Sequence, residues 1–535
     1  LMESLNEINM RLIGMKIPEK DIFQFQVYNL LPYNNFGIIE LEIFTPSDKF
    51  TITDSDGNKV ESITLSSEEI PERVRNKMLS EVGFDGNEHP KWVVEDVRIF
   101  SSKVLIYISD IPAMGYKTLL VKKELDTFEG TSIINSNTDK VIENDLLKVE
   151  ILKNGEVSIQ NKKTGQNING SLIFENSGDD GDTYDYSEPR EDWYLYSNKK
   201  EIRNLEVKKS DLLSTINFTT SLEIPKDLEE RGNKLISKEL DIHVEIRLEK
   251  NSDLVKVDVE IENNTIEHRV RVLFKTNIPS EFSIADQQFG SIRRPTYLKE
   301  VENWRENGWN EKPRTIEPMQ SFVTLKNEKN GVAVFTDCVR EYQIVGDELD
   351  TIALTLFRSV PMMGKAELKD RPGRASGMPW STPDALLLKK MKFNFAVKLY
   401  SNDEKINDIA VKAKEYLTPF MGYQAAHFKN VDMFFLMNQP GEKDLSFEYS
   451  LFKFLDNNTV LSTVKKCERE EGLIVRFFNP DFETTTNETI IFEDTLEEVR
   501  EVKFDEKTVV KVFSSSNNIS SNDIAKCHAV SIRVK

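Results

Sequence analysis

Histidine and cysteine are scarce in this sequence, at five and three of 535 residues. The histidines, His89, His243, His268, His427 and His528, include no His–His or His–Cys pair at a spacing that holds a metal ion. The cysteines, Cys338, Cys467 and Cys527, are odd in number and far apart, which argues against a disulfide framework and for a reducing, cytoplasmic compartment. The sequons Asn217-Phe-Thr219 and Asn487-Glu-Thr489 are then idle. No apolar run approaches a membrane span, and no basic-then-apolar leader opens the chain. Positive charge is also in deficit: the net charge of -20 would repel phosphates, so neither nucleic acid nor an anionic membrane is expected as a partner. With no GxSxG elbow, no P-loop and no dinucleotide fingerprint, nucleophilic serine and nucleotide chemistry lack support.

What the chain has is β pattern, over a length that calls for several cores. The expected fold is mainly β, with several antiparallel β-sandwich domains, one of them a large supersandwich, preceded by a remnant of a helical bundle. The remnant is residues 1–20, where Leu1, Leu5, Ile8 and Leu12 recur at helical spacing and need a partner, as the tail of a bundle lying upstream would. A small β-sandwich follows over 21–125, with a hairpin turn at Asp56-Gly57; Asp54-x-Asp56-Gly57 lacks the further ligands of a calcium loop. The large sandwich spans 131–400 and opens with a hairpin at Asn154-Gly155. Its alternating strands imply antiparallel sheets with one wet face. A helical linker over 401–418 leads to a C-terminal β domain over 419–535.

One stretch stands out. FENSGDDGDTYDYSEP, Phe174 to Pro189, gathers six acids, two glycines and two tyrosines. Carboxylates accept pairs of sugar hydroxyls and rings stack on pyranose faces, so a sugar or metal site is one reading and a solvated acidic loop is the other. Asp179, Asp180, Asp182 and Asp185 could also supply the carboxylate pair of a metal-free glycosidase, although adjacent loop acids ordinarily stay hydrated.

Several further stretches occur in order: FQVYNLLP (Phe25 to Pro32), DIPAMGYKTL (Asp110 to Leu119), SIADQQFGSIRRP (Ser283 to Pro295), IEPMQSFV (Ile316 to Val323), RPGRASGMPWSTPDA (Arg371 to Ala385), then TVKKCERE and GLIVRFFNP. Together with the acidic stretch they resemble the C-terminal half of glycoside hydrolase family 38, the zinc-dependent retaining α-mannosidases, and most of all its bacterial mannosylglycerate hydrolase branch. The resemblance implies an N-terminal barrel-like domain and helical bundle that hold the zinc and the aspartate nucleophile, followed by β-sandwich domains. No catalytic residue and no metal ligand is then expected in this chain, which would be inactive alone. Its partners would be an α-mannoside, such as mannosylglycerate or its 6-phosphate, the N-terminal catalytic domain and, as in other members, further copies of itself.

The resemblance also implies site residues. Tyr184 is the stacking residue, with Asp182 and Tyr186 beside it; the alternative is a rim tyrosine packing on its own sandwich. Either Arg371 or Arg374 reaches the cleft, where a guanidinium suits a carboxylate, phosphate or diol; the alternative is an internal salt bridge to Asp370 or Asp384. Arg293 and Arg294 with Glu317 suggest a buried ion pair between sheets. Of Trp92, Trp193, Trp304, Trp309 and Trp380, the last, beside RPGRASG, is the candidate for sugar stacking. The rival to an enzyme half is a non-catalytic carbohydrate-binding or scaffold module.

Overall fold

A computed structural model describes residues 22–70, 99–124, 133–424 and 446–535. The expected bundle remnant at 1–20 and Trp92 lie outside them. The described chain is built from antiparallel sheets stacked as sandwiches.

The first sandwich sets a five-stranded sheet, with Ile22–Asn29 and Gly115–Lys123 at its centre, against a three-stranded sheet of Asn35–Thr45, Phe100–Ile111 and Ser62–Glu69. Phe25, Val27, Leu119 and Val121 from one sheet meet Ile39, Ile43, Val104 and Ile106 from the other. Two strands of the larger sheet arrive from far along the chain. Met421–Tyr423 pairs with Ile22–Asn29, and Glu448–Ser450 pairs with Gly115–Lys123. A domain boundary at 419 therefore does not follow the sheet pairing: the chain returns to its first sandwich before entering its last. The glycines at these seams are demanded by space, since a Cβ at Gly115 would fall on the Tyr449 carbonyl and one at Gly422 on the Leu41 side chain.

The large sandwich packs a ten-stranded sheet, running from Gly290–Pro295 at one edge to Ile134–Ser136 at the other, against a six-stranded sheet and a four-stranded one. All three contribute to one apolar core, including Ile159, Phe174, Val244, Val257, Phe274 and Phe395. The four-stranded sheet contains the expected hairpin, Leu147–Ile151 against Val157–Asn161, with Gly155 at φ +84°. Arg294, on the ten-stranded sheet, pairs with Glu317, on the six-stranded sheet, at 3.1 Å, so that ion pair does span the two sheets. Arg293 does not join it; its guanidinium lies on the Phe282 ring and 3.9 Å from Glu483.

The helix Ile406–Tyr416 buries Ile409, Ala410 and Ala413 against Phe322, Phe335 and Tyr400 of the ten-stranded sheet. Beyond it a three-stranded and a five-stranded sheet form the last sandwich around Phe452, Val475, Phe477, Ile490 and Ile532.

The six-stranded sheet departs from the expected wet face. His268–Lys275 is buried at every position but the last. Val270, Val272 and Phe274 face the core, while Arg269, Arg271 and Leu273 face a cavity roofed by the segment 296–316. The period of two is real, but the polar side is covered by chain instead of water.

Candidate functional site

The acidic stretch begins as a strand, Ile173–Gly178, paired with His268–Lys275 and ending opposite His268. Below the exit point sits a buried polar network. Asn176 bonds the Nδ1 of His268 at 2.7 Å and accepts from Arg231, which also bonds Asp192 at 3.1 Å. His268 Nε2 lies 3.0 Å from the Asn263 side-chain oxygen, so its buried imidazole is neutral, with a pKa pushed down to about 3 by burial and by the Arg231 cation.

From Asp179 the chain leaves the sheet and meets the long connection 360–389 between the strands Thr351–Ser359 and Lys390–Ser401. Arg358, the next-to-last residue of its strand, enters the loop as a fork. Its Nε bonds Asp179 at 2.7 Å, and its Nη2 bonds Asp179 at 3.1 Å and the carbonyls of Asp182 and Asp185 at 2.9 and 2.7 Å. Asp182 is fully buried. It accepts backbone N–H bonds from Tyr184, Asp185 and Lys365 at 3.0, 2.9 and 3.0 Å, and a guanidinium bond from Arg371 at 2.7 Å. Burial alone would raise its pKa, but these donors hold it below the ordinary carboxylate value. Gly178 and Gly181 are needed for space: a Cβ at Gly178 would stand 2.6 Å from Arg231, and one at Gly181 would fall on the Asp185 carbonyl and 2.6 Å from Arg358.

Every acid of the stretch is paired with a cation. Glu175 meets Arg271 at 2.5 Å, Asp179 meets Arg358 at 2.7 Å, and Asp180 meets Lys365 at 2.7 Å. Asp182 and Asp185 meet Arg371 at 2.7 and 2.9 Å, and Glu188 meets Lys369 at 3.1 Å. Neither the solvated loop nor the metal-free glycosidase reading of Asp179, Asp180, Asp182 and Asp185 survives this. A glycosidase dyad needs one carboxylate free to attack or to activate water, and none of these is free. The carboxylates instead fasten two loops into a clasp.

Of the residues expected at a sugar site, the clasp divides them in two. Asp182, Tyr186 and Arg371 are inside it, at 0%, 7% and 1% exposure. Arg371 is an internal ion pair, though with Asp182, Asp185 and Glu311 in place of Asp370 or Asp384; Asp370 is occupied by Arg314 at 3.2 Å. Its Nη1 also caps the Arg374 carbonyl, shaping the turn at Gly373, where φ is +73°. Tyr186 lies beneath the Arg269 guanidinium, 3.5 Å from its ring centre. A buried carboxylate and guanidinium that already satisfy each other have little left for a substrate, so these three position the loops.

Tyr184 and Arg374 are outside. The Tyr184 ring is 59% exposed and rests on Gly377, where a Cβ would come within 2.6 Å of it. Arg374 is exposed and forms no ion pair among the described residues. Met378 and Trp380, at 55% and 60% exposure, extend the same connection, and Trp380 is tied to Met363 by a backbone bond of 2.8 Å. Trp304 is buried and Trp309 is half-exposed elsewhere. The reading from sequence missed Arg358 and Lys365. A trace of Arg358 was there, as a cation inside the otherwise apolar run TIALTLFRSV.

Residues 142–362 match the family model for the glycosyl hydrolases family 38 C-terminal domain. Over these residues the chain is similar to that family 38 domain. A similar protein, named "Putative mannosylglycerate hydrolase", from Halalkalibacterium halodurans, is 25% identical over 429 residues, which is 77% of this chain and 43% of that protein. Two solved structures from Enterococcus faecalis are similar over all of this chain. One is described as an alpha-mannosidase from strain V583, with a TM-score of 0.76, 19% identity and 58% of its chain covered. The other is described as a protein in glycosyl hydrolase family 38, with a TM-score of 0.74, 18% identity and 60% covered. At these identities the structures establish the shared fold. The chain thus spans about half the length of its relatives, and the stretch matched by the family model begins within the strand Val141–Glu143 and ends inside the connection that carries the clasp.

Among the described residues no group of three or more His, Cys, Asp or Glu side chains is placed to hold a metal ion. The zinc implied by the family resemblance has no ligand set among the described residues. No helix of the described residues is long and apolar enough to cross a membrane.

Proposed function

We propose that this chain is the C-terminal part of a retaining α-mannosidase of family 38, acting on an α-mannoside such as mannosylglycerate or its 6-phosphate, and that it completes the sugar site without supplying nucleophile or metal ligand. The observation that carries the reading is the clasp. Its cations and carboxylates are spent on one another, and what it turns outward is an exposed tyrosine and an exposed arginine without an ion pair among the described residues, on two crosslinked loops. Tyr184 would lay its ring on an apolar sugar face, and Arg374 would donate to a hydroxyl pair or to an anionic aglycone. Trp380 would shield that contact from water. The nucleophile and zinc would come from residues outside this chain. Free Cys338, Cys467 and Cys527 suit a reducing compartment, so the proposed location is the cytoplasm.

The test is α-mannosidase activity, with zinc added, for this chain alone and for a version extended upstream to the length of its relatives. Activity confined to the longer protein, and lowered at least 100-fold by Tyr184→Ala or Arg374→Ala, supports the proposal. Turnover by the purified 535-residue chain would sink it. Measurable affinity of this chain alone for mannose, with no activity in either length, would move the reading to a binding module.

A further inference from the structure

Beside the clasp, on the outer side of the six-stranded sheet, lies a cavity of about 610 Å³ whose wall contains neither Tyr184 nor Arg374. Its floor is the polar face of that sheet and carries Glu175, Arg269, Arg271 and Gln343; its roof is the segment from Thr296 to Ile316. Three of its cations are committed. Arg271 is held by Glu175 and by Gln343 at 2.8 Å, while Arg314 and Lys312 both face Asp370.

Arg269 is the exception. It is 2% exposed, forms no ion pair among the described residues, and its Nη1 has no hydrogen-bond partner. Its Nε reaches only the Ser177 hydroxyl, at 3.4 Å, and its plane rests on Tyr186. The nearest acids are already taken, Glu175 by Arg271 and Asp179 by Arg358. Burial and the neighbouring Arg271 cation together press its pKa below the ordinary arginine value. A guanidinium kept charged at such depth without a carboxylate is costly, because its desolvation is not offset by an opposite charge. An anion entering the cavity would supply the missing counter-charge.

We propose that this cavity binds a sugar bearing one anionic group, whose carboxylate or phosphate pairs with Arg269 while its ring lies among Tyr194, Tyr196 and Tyr297. The wall restricts the ligand class. It holds four acids, Glu175, Glu188, Asp347 and Asp370, against its four bases, so a polyphosphate or nucleotide would be repelled by its surroundings once past Arg269. A body rich in hydroxyls instead finds carboxylates that accept and aromatic faces that stack. The volume suits one or two sugar rings. The proposal stands on the cavity itself and does not depend on which bond the longer protein cleaves.

The test is titration calorimetry on the 535-residue chain with glucuronate and with mannose 6-phosphate, which separate a carboxylate from a phosphate source, against mannose and inorganic phosphate. The expected result is that at least one sugar anion binds ten times or more tightly than mannose and than phosphate. Arg269→Gln should lower that affinity at least tenfold. Because Arg269 is buried and its loss could unfold the sheet, Tyr297→Ala at the half-exposed rim is the second variant, expected to weaken binding threefold or more with Arg269 intact. Inorganic phosphate binding as well as the sugar anions, affinity unchanged in either variant, or no binding of either anion would overturn the proposal. The readout is binding without turnover, so its failure leaves the mannosidase reading untouched, and failure of that reading leaves this one standing.

Discussion

The ion pair between Asp182 and Arg371 is lopsided, and its two halves should differ when removed. Asp182 accepts three backbone N–H bonds besides the guanidinium, whereas Arg371 has Asp185 and Glu311 as further partners nearer the surface. Asp182→Ala therefore leaves three part-buried N–H groups without their acceptor and takes from the buried Arg371 one of its three carboxylates. A net ~1.5–3 kcal/mol for each bond to a charged group, reduced because the loop can relax toward solvent, gives a cost of about 4 kcal/mol to the clasp. Arg371→Met keeps the stem volume and leaves the carboxylate its three N–H donors, so its cost should be about 2 kcal/mol. The assay is hydrogen exchange at the amides of Tyr184, Asp185 and Lys365, the three that donate to Asp182. A difference of about 2 kcal/mol means exchange roughly 30-fold faster in Asp182→Ala than in Arg371→Met. Equal exchange in the two variants would mean that the ion pair alone closes the loop and that the backbone bonds contribute nothing.

Gly181→Ala should open the same loop, because its Cβ would fall on the Asp185 carbonyl and displace the Arg358 fork; Gly232→Ala, with nothing within 4 Å of its Cβ, is the control expected to leave stability within about 0.5 kcal/mol. Thermal melts and exchange at Asp182 and Asp185 would check this, and equal behaviour of the two variants would refute it. His268 predicts a pH effect. Its folded pKa of about 3 lies below the ordinary value of 6.5, so as pH falls below 6.5 the unfolded chain takes up a proton that the folded one refuses, and stability declines. Between pH 7 and pH 5 that single site removes about 2 kcal/mol. The checking measurement is the His268 ring resonance by NMR, expected not to titrate between pH 7.5 and 5; a midpoint near 6.5 would refute the neutral network beneath the loop.

Local structure was legible where the chain solves its own problem nearby. The hairpin at Asn154-Gly155 and the helix ending before Pro419 needed only turn chemistry and periodicity. Met421–Tyr423 and Glu448–Ser450 were not legible as parts of the first sandwich, because three-residue strands carry almost no pattern and their partners lie hundreds of residues upstream. The charged face of His268–Lys275 looked wet for the same reason: the period of two reports which side is polar, and only the fold reveals that the segment 296–316 covers it.

The acidic stretch shows why a local run of charge is a poor guide to what the charges face. Six acids within sixteen residues suggest either a sugar or metal site or a solvated loop, and both readings take the acids to be unpaired. Their counter-charges, Arg271, Arg358, Lys365, Lys369 and Arg371, come from strands and a connection some 90 to 190 residues on, so the stretch looked far more negative in sequence than it is in space. Pairing of that kind contributes little to net stability when charges must first be desolvated, but it fixes geometry well, because a forked guanidinium accepts few alternative arrangements. A clasp fixed this way makes sense where the exposed groups on it must be held still against a surface the clasp does not itself contain. That requirement is what sets Tyr184 and Arg374 apart from the acids that first drew attention to them.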